Sequence, residues 1–152
     1  MDEKFKINTD DTIFTINANN IPLESSTYRY GNEDNSLEIV ATNSSKCIQY
    51  IGCMYIDEVY SDSIILPGYK ECEGIELAQY EYMFHTSDRN DFVSDFTLNL
   101  NDRELDIVFS NNCYPCYYYL DDRLEYYFDE FKNLIYIKVV DLTEEEYNYF
   151  KR

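Results

Sequence analysis

The sequence is poor in the two residues that most often interrupt regular structure: of 152 residues, 4 are glycine and 3 are proline. Flexible linkers and low-complexity tails are rich in these residues, so we expect neither in this chain. The length is sufficient to bury one hydrophobic core, and a hydrophobic fraction of 45% is ordinary for a globular protein. We therefore predict a single compact domain that spans residues 1–152.

Catalytic signatures are also scarce. Histidine occurs once, as His85, and no Gly-x-Ser-x-Gly motif frames a nucleophile. The four glycines form neither the dinucleotide-binding nor the Walker phosphate-binding motif, and the acidic loops lack the EF-hand calcium pattern. We therefore predict a protein that is not an enzyme and that has no cofactor and no metal site.

Long apolar runs are missing as well. No stretch approaches the roughly 18 apolar residues that a membrane span requires, and the first residues, MDEKFKINTDD, are charged and polar. We expect no membrane association and a cytoplasmic location. In that compartment the 5 cysteines would remain reduced thiols.

Basic residues are few: 12 Lys and Arg stand against 30 Asp and Glu, which gives a formal net charge of −18. The excess is spread along the chain, because residues 1–50, 51–100 and 101–152 are each net negative. A field of this sign attracts basic proteins and repels phosphate backbones, so we expect no direct binding of nucleic acid. Solubility is the simpler explanation, but this charge exceeds what solubility needs.

The pattern that is present is alternation of apolar and polar residues. It predicts a mainly β or α+β fold, with antiparallel sheets made of several hairpins and one or two short helices, one of them C-terminal. The clearest hairpin is DFTLNL-ND-RELDIVF, around Asn101-Asp102. The C-terminal helix is indicated by Thr143 as its N-cap and Glu146 three residues later, a capping box.

Residues 120–131 fit two kinds of structure. Leu120, Leu124, Tyr127, Phe128 and Phe131 have helical spacing, whereas alternation from Leu124 to Phe128 fits a strand that turns at Lys132-Asn133 into residues 134–142. We favour the strand hairpin.

The same region contains Cys113-Tyr-Pro-Cys116. A Cys-x-x-Cys pair is able to exchange thiols or to supply two ligands of a structural zinc, but the other cysteines contain no second such pair. We favour a proline-containing turn with two small apolar side chains, and keep a thiol or zinc protein that uses Cys113 and Cys116 as an alternative.

The stretch from 117 to 131 interleaves tyrosines with carboxylates. Protein interfaces are enriched in tyrosine, and carboxylates around aromatic anchors complement a surface rich in Lys and Arg. An ordinary amphipathic strand or helix with an acidic solvated side explains the pattern equally well. The predicted partner-binding residues are Tyr117, Tyr119, Asp121, Asp122, Glu125, Tyr126, Tyr127, Asp129 and Glu130.

These observations favour a small acidic inhibitor, of the immunity-protein type, that binds and blocks a basic protein. The expected partner is a nuclease or toxin domain, because its substrate cleft is lined with Lys and Arg. An anti-CRISPR-like phage inhibitor that imitates nucleic acid with its carboxylates is an alternative.

Overall fold

A computed structural model of the chain describes residues 6–9, 14–17, 25–31, 36–42, 48–53, 59–61, 66, 72–75, 96–109, 114–131 and 133–150. The described part of the fold is mostly β, with antiparallel sheets and a short C-terminal helix, which confirms the predicted fold class. The chain divides into two compact units, each containing one sheet. The single-domain assignment stays a prediction.

The first unit is a five-stranded sheet in which neighbouring strands are antiparallel and the strand order is β1-β2-β5-β4-β3. Its central row places Ile16, Ile51 and Ile39 side by side on three neighbouring strands, and all three are fully buried. The strands are β1 (Lys6–Thr9), β2 (Phe14–Asn17), β3 (Ser25–Gly31), β4 (Ser36–Thr42) and β5 (Ile48–Cys53).

The second unit is a seven-stranded sheet with the order β6-β8-β9-β12-β11-β10-β7. The two outer strands, β6 and β7, run parallel to their neighbours, and the other pairings are antiparallel. The elements are β6 (Val59–Ser61), β7 (Glu73–Gly74), β8 (Thr97–Asn101), β9 (Glu104–Val108), β10 (Tyr117–Asp121), β11 (Leu124–Phe128), β12 (Leu134–Val139) and the helix α1 (Glu144–Phe150).

The predicted hairpins of this unit are confirmed. β8 and β9 pair antiparallel around a two-residue turn, although the turn residues are Asp102 and Arg103 rather than Asn101 and Asp102. Residues 124–128 form a strand that pairs with β12, so the strand interpretation of the ambiguous stretch was right. β10 and β11 are joined by a second two-residue turn, Asp122-Arg123.

Across its four central strands, one face of the second sheet carries apolar side chains. Strand alternation and register place apolar side chains in two rows across the strands β8, β9, β12 and β11. All of these side chains are buried, and they form much of the core of the unit. The rows are Leu98, Ile107, Ile137 and Tyr126, followed by Leu100, Leu105, Val139 and Leu124.

The predicted capping box at the start of α1 is also confirmed. The backbone N–H of Glu146 donates to Thr143 Oγ1 at 3.1 Å, and the backbone N–H of Thr143 donates to Glu146 Oε1 at 2.8 Å. Phe150 anchors the other end of the helix because it is buried. Within the part of the chain that the structure describes, no helix has both the length and the apolar character that crossing a membrane requires.

Candidate interaction surface

The stretch predicted to bind a partner is a β-hairpin, and its residues divide between the two faces and the two ends of the sheet. Strand β10 has 5 residues. At ~3.3 Å per residue, its two ends lie about 16 Å apart. Asp122 is in the turn at one end, whereas Asp129 and Glu130 follow β11 at the other. The nine residues therefore do not form one patch.

Tyr126 and Tyr127 belong to the core, because neither has any exposed surface. The Tyr126 ring lies 5.6 Å from that of Tyr119, and the Tyr127 ring stacks on Tyr136 at 4.7 Å between centroids. The Tyr127 hydroxyl donates a 2.6 Å hydrogen bond to Glu125. Side chains without exposed surface have no area to offer a partner, so the surface considered below leaves these two tyrosines out.

Asp129 shapes the loop between β11 and β12. Its Oδ1 accepts hydrogen bonds from the backbone N–H groups of Phe131 and Asn133, both at 2.9 Å, and its Oδ2 accepts one from Asn133 Nδ2 at 3.2 Å. The residue is 8% exposed. Its carboxylate therefore satisfies the backbone of a tight loop, as aspartate often does in turns.

The remaining predicted residues keep some surface. Tyr117, Tyr119, Asp121 and Glu125 are half-buried. Asp122 and Glu130 are exposed, one at each end of the hairpin.

One end of the sheet, which we name the turn end, holds the Asp102-Arg103 and Asp122-Arg123 turns and the start of α1. Five carboxylates are exposed there, more than in any stretch that the sequence singled out. They come from three separate segments of the chain, and the register of the strands brings these segments to the same end. The five are Asp102, Asp122, Asp141, Glu144 and Glu145.

The two arginines of the turn end are used inside the molecule. Arg123 donates to the Val140 carbonyl oxygen at 3.1 Å and forms a salt bridge with Glu146, 2.5 Å between Nη2 and Oε1. Arg103 donates to the Leu142 carbonyl oxygen at 3.2 Å and, through its own carbonyl, accepts the Leu142 N–H at 3.0 Å. Both turns thereby hold the segment that leads into α1.

The salt bridge has an electrostatic signature. Partial burial by itself would raise the pKa of Glu146, but the hydrogen bonds from Arg123 and from the Thr143 N–H outweigh it and lower the pKa below its ordinary value. The charged form of Glu146 is thus stabilised by the fold.

The opposite end, which we name the loop end, consists of Glu73, Tyr114, Glu130 and Phe131. The two aromatic side chains are 84% and 75% exposed, and both carboxylates are exposed. The chain segments meet there because Glu73 pairs with Tyr117, and the Cys116 N–H donates to the Phe128 carbonyl at 2.8 Å. Exposed aromatic rings of this size are typical of interaction sites.

Sequence reasoning missed both aromatic residues of the loop end. Tyr114 was passed over between two cysteines, and Phe131 was assigned to the apolar side of a possible helix. The sequence does contain a usable signal for both residues. Tyr114 precedes Pro115 and Phe131 lies two positions before Asn133, so each is in a turn-forming segment. Both lie outside the alternating pattern that places the aromatic residues of strands in the core.

The Cys-x-x-Cys pair is only half described, because Cys113 lies outside the described residues. Cys116 is half-buried and not in a disulfide. Among the described residues, no group of three or more His, Cys, Asp and Glu side chains is arranged to hold a metal ion. The thiol or zinc alternative stays a prediction.

Opposite its apolar face, the second sheet buries a row of polar side chains that the sequence did not reveal. The row is Asn99, Asp106, Lys138 and Glu125 on four neighbouring strands, and the first three are 1%, 0% and 6% exposed. Lys138 Nζ donates to the Leu66 carbonyl at 2.9 Å and forms a 3.2 Å salt bridge with Glu104. An internal lysine in the otherwise apolar run LIYIKVV is the available signal.

Asp106 is the most perturbed carboxyl group of this row. Burial, together with the hydrogen bond and negative charge of Glu104, raises the pKa of Asp106 to about 8, against smaller lowering effects of Lys138 and Asn99. Burial likewise raises the pKa of the Tyr127 and Tyr136 hydroxyls, with nearby Glu125 contributing for Tyr127 and nearby Cys72 for Tyr136.

Comparison with known proteins adds no family to this picture. Neither a protein-family model nor a curated protein sequence matches the chain. The functional conclusion therefore rests on the geometry and charge of the two ends.

Proposed function

We propose that this protein binds a basic protein through the loop end and blocks that protein's access to nucleic acid. The observation that supports the proposal is a charge imbalance at the surface of the second unit. In its described part, Arg103, Arg123 and Lys138 all donate to internal acceptors. Seven carboxylates of the same part are exposed: Glu73, Asp102, Asp122, Glu130, Asp141, Glu144 and Glu145.

The loop end supplies the anchors. Interface hot spots are enriched in large rings that fill pockets on the partner, and Tyr114 and Phe131 offer such rings without unfolding any strand. Glu73 and Glu130 flank them and suit Lys or Arg side chains at the rim of the contact.

The turn end contributes at longer range. Its five exposed carboxylates add to a formal charge of −18 and accelerate the encounter with a cationic surface. Screening weakens this influence beyond about 8 Å at physiological ionic strength, so the steering is strongest at low ionic strength. The turn end therefore steers association, whereas the loop end determines how long the complex lasts.

Nucleases and other nucleic-acid-binding proteins are the class of partner that this surface fits best. Their clefts are lined with Lys and Arg that neutralise phosphates, and carboxylates that occupy such a cleft exclude the substrate. Immunity against a toxic nuclease and phage defence against a host nuclease both use an inhibitor of this kind, and the charge pattern is suited equally to either.

The proposal is tested by capture followed by inhibition. The wild-type protein is immobilised at low ionic strength beside a Tyr114→Ala/Phe131→Ala control, and proteins retained only by the wild type are identified. We expect a basic nucleic-acid-binding protein whose activity is inhibited by the wild type and much less by the control. Retention of acidic proteins, or equal retention by both baits, would contradict the proposal.

A further inference from the structure

Two cysteines that are 44 positions apart in sequence lie at the loop end, each one residue before the paired positions of β7 and β10. Cys72 directly precedes Glu73, Cys116 directly precedes Tyr117, and Glu73 pairs with Tyr117 in the parallel ladder of β7 and β10. Parallel neighbours lie about 4.8 Å apart, within the 4.4–6.8 Å that separates the α-carbons of a disulfide. Their backbones are joined directly, since the Glu73 N–H donates to the Cys116 carbonyl at 3.0 Å.

The position of the Cys72 side chain agrees with this register. Its Sγ lies 3.5 Å from the carbonyl oxygen of Pro115, the residue bonded to Cys116. The Cys72 side chain therefore extends across the strand gap toward the Pro115–Cys116 peptide, and the Cys116 Sγ lies 3.8 Å from the carbonyl oxygen of Tyr114. Neither residue is in a disulfide in this structure, and both are half-buried, so that small thiol reagents are able to reach them.

We propose that Cys72 and Cys116 form a reversible disulfide that joins β7 to β10 when the surroundings become oxidising. This inference does not depend on the proposed function. β7 is the outer strand of the sheet and has only 2 residues. A covalent link at that place secures a short edge strand that two-residue pairing holds weakly.

The chemistry is ordinary thiol–disulfide exchange with a low-molecular-weight disulfide such as oxidised glutathione. One cysteine thiolate attacks the reagent and releases the first glutathione thiolate, which leaves a mixed disulfide on the protein. The second cysteine thiolate then attacks the protein sulfur of that mixed disulfide and releases the second glutathione. The protein thiols give up two electrons and two protons, and the reagent leaves as two reduced thiols.

The experiment equilibrates the intact protein with oxidised glutathione, alkylates the remaining thiols and maps the tryptic peptides by mass spectrometry. Cleavage at Lys70, Arg89, Arg103 and Arg123 places Cys72 and Cys116 on different peptides, whereas Cys113 and Cys116 share one. We expect a cross-link between the two peptides, loss of alkylation at Cys72 and Cys116, and complete reversal by reduced glutathione.

Variants distinguish the competing pairings. The cross-link should persist in Cys113→Ser and be lost in Cys72→Ser and in Cys116→Ser, and Cys53→Ser in the buried core of the first unit is the matched control that should leave it unchanged. A link that disappears in Cys113→Ser, a Cys113–Cys116 loop within one peptide, or glutathione adducts alone would overturn the proposal. Fragment-ion spectra of the wild-type cross-link show whether Cys113 or Cys116 carries the alkyl group, so a variant that fails to fold does not decide the result.

Discussion

The two ends of the second sheet are both acidic, but they are built differently. At the turn end, two-residue turns, two arginines and a capped helix are tied together by internal hydrogen bonds. At the loop end, one carboxylate organises the loop and two aromatic rings extend into solvent. The comparison teaches that acidic charge alone does not define a docking site. Anchors that remain outside the core are needed as well.

The difference has a physical cause. A helix of 7 residues is too short to be stable by itself, so the turn end uses its basic groups to hold α1 against the sheet. The exposed carboxylates near α1 then have no basic side chain in the same turns as a partner. The loop end has no helix to hold, and there the carboxylate of Asp129 holds the loop between β11 and β12.

The largest expected effect concerns the core between the two ends. Tyr127→Ala removes a fully buried ring that stacks on Tyr136, and we expect a loss of about 3–5 kcal/mol in the free energy of unfolding. Tyr114→Ala, at the exposed loop end, should change it by less than about 0.5 kcal/mol. Chemical denaturation measures both.

A second variant separates the contribution of the Tyr127 ring to stability from that of its hydroxyl group. Tyr127→Phe keeps the stacked ring and loses only the hydrogen bond to Glu125, so we expect a cost of about 1 kcal/mol. If Tyr127→Ala were as mild as Tyr114→Ala, the stretch would be a surface patch as its sequence first suggested, and the division into core and ends would be wrong.

The next effect tests the clamp at the turn end. Arg123→Ala leaves Glu146 without its guanidinium partner and Val140 without its donor, and we expect a loss of about 2–3 kcal/mol. Arg103→Ala removes a single part-buried side-chain hydrogen bond and should cost about 1 kcal/mol or less. Equal costs would show that the Arg123–Glu146 pair contributes little to the docking of α1.

A further effect depends on pH and concerns Asp106, in the buried row of polar side chains on the second sheet. The unfolded chain releases the Asp106 proton near 3.8, whereas the folded protein keeps it until about 8. The unfolded state therefore binds fewer protons across this range, and stability should fall as pH rises from about 4 to about 8. Asp106→Asn, which cannot ionise, should flatten that decline and be more stable than wild type by about 1–3 kcal/mol at alkaline pH.

Glu146 makes the stability depend on pH in the opposite direction, at acidic pH. Because the fold lowers the pKa of Glu146, its contribution is present above its ordinary value of 4.5 and is lost as pH falls through the folded value. Glu146→Gln should weaken that acid-side decline without altering the slope above pH 5. Unfolding curves measured at several pH values separate the two groups, and parallel wild-type and Asp106→Asn curves would contradict the role of Asp106.

Local signals predicted the fold more completely than the site. The β8–β9 hairpin and the Thr143–Glu146 capping box depend on residues close in sequence, so the pattern was sufficient. The burial of Tyr126 depends on a row of side chains that continues over the next three strands, through Ile137, Ile107 and Leu98. A local sequence pattern does not indicate which residues pair across those strands. Lys138 and Asp106 were missed for the same reason.

The partner-binding role of the predicted residues stays a prediction, and the structure distributes those residues differently from their order in the sequence. Asp122 and Glu130 are exposed as an acidic docking face requires, but the hairpin separates them to opposite ends. The turn end gathers Asp102 and Glu144 from other parts of the chain because their strands end at the same edge. The continuous stretch of residues 117–131 includes neither Asp102 nor Glu144.

The central claim is that the loop end holds the basic partner while the turn end only steers it. The most direct measurement compares association and dissociation rates of the captured partner with two variants of equal charge change, Glu73→Lys/Glu130→Lys and Asp122→Lys/Glu145→Lys. We predict slower association for both, and faster dissociation only for the loop-end variant. Faster dissociation for the turn-end variant alone, or unchanged rates for both, would contradict the account.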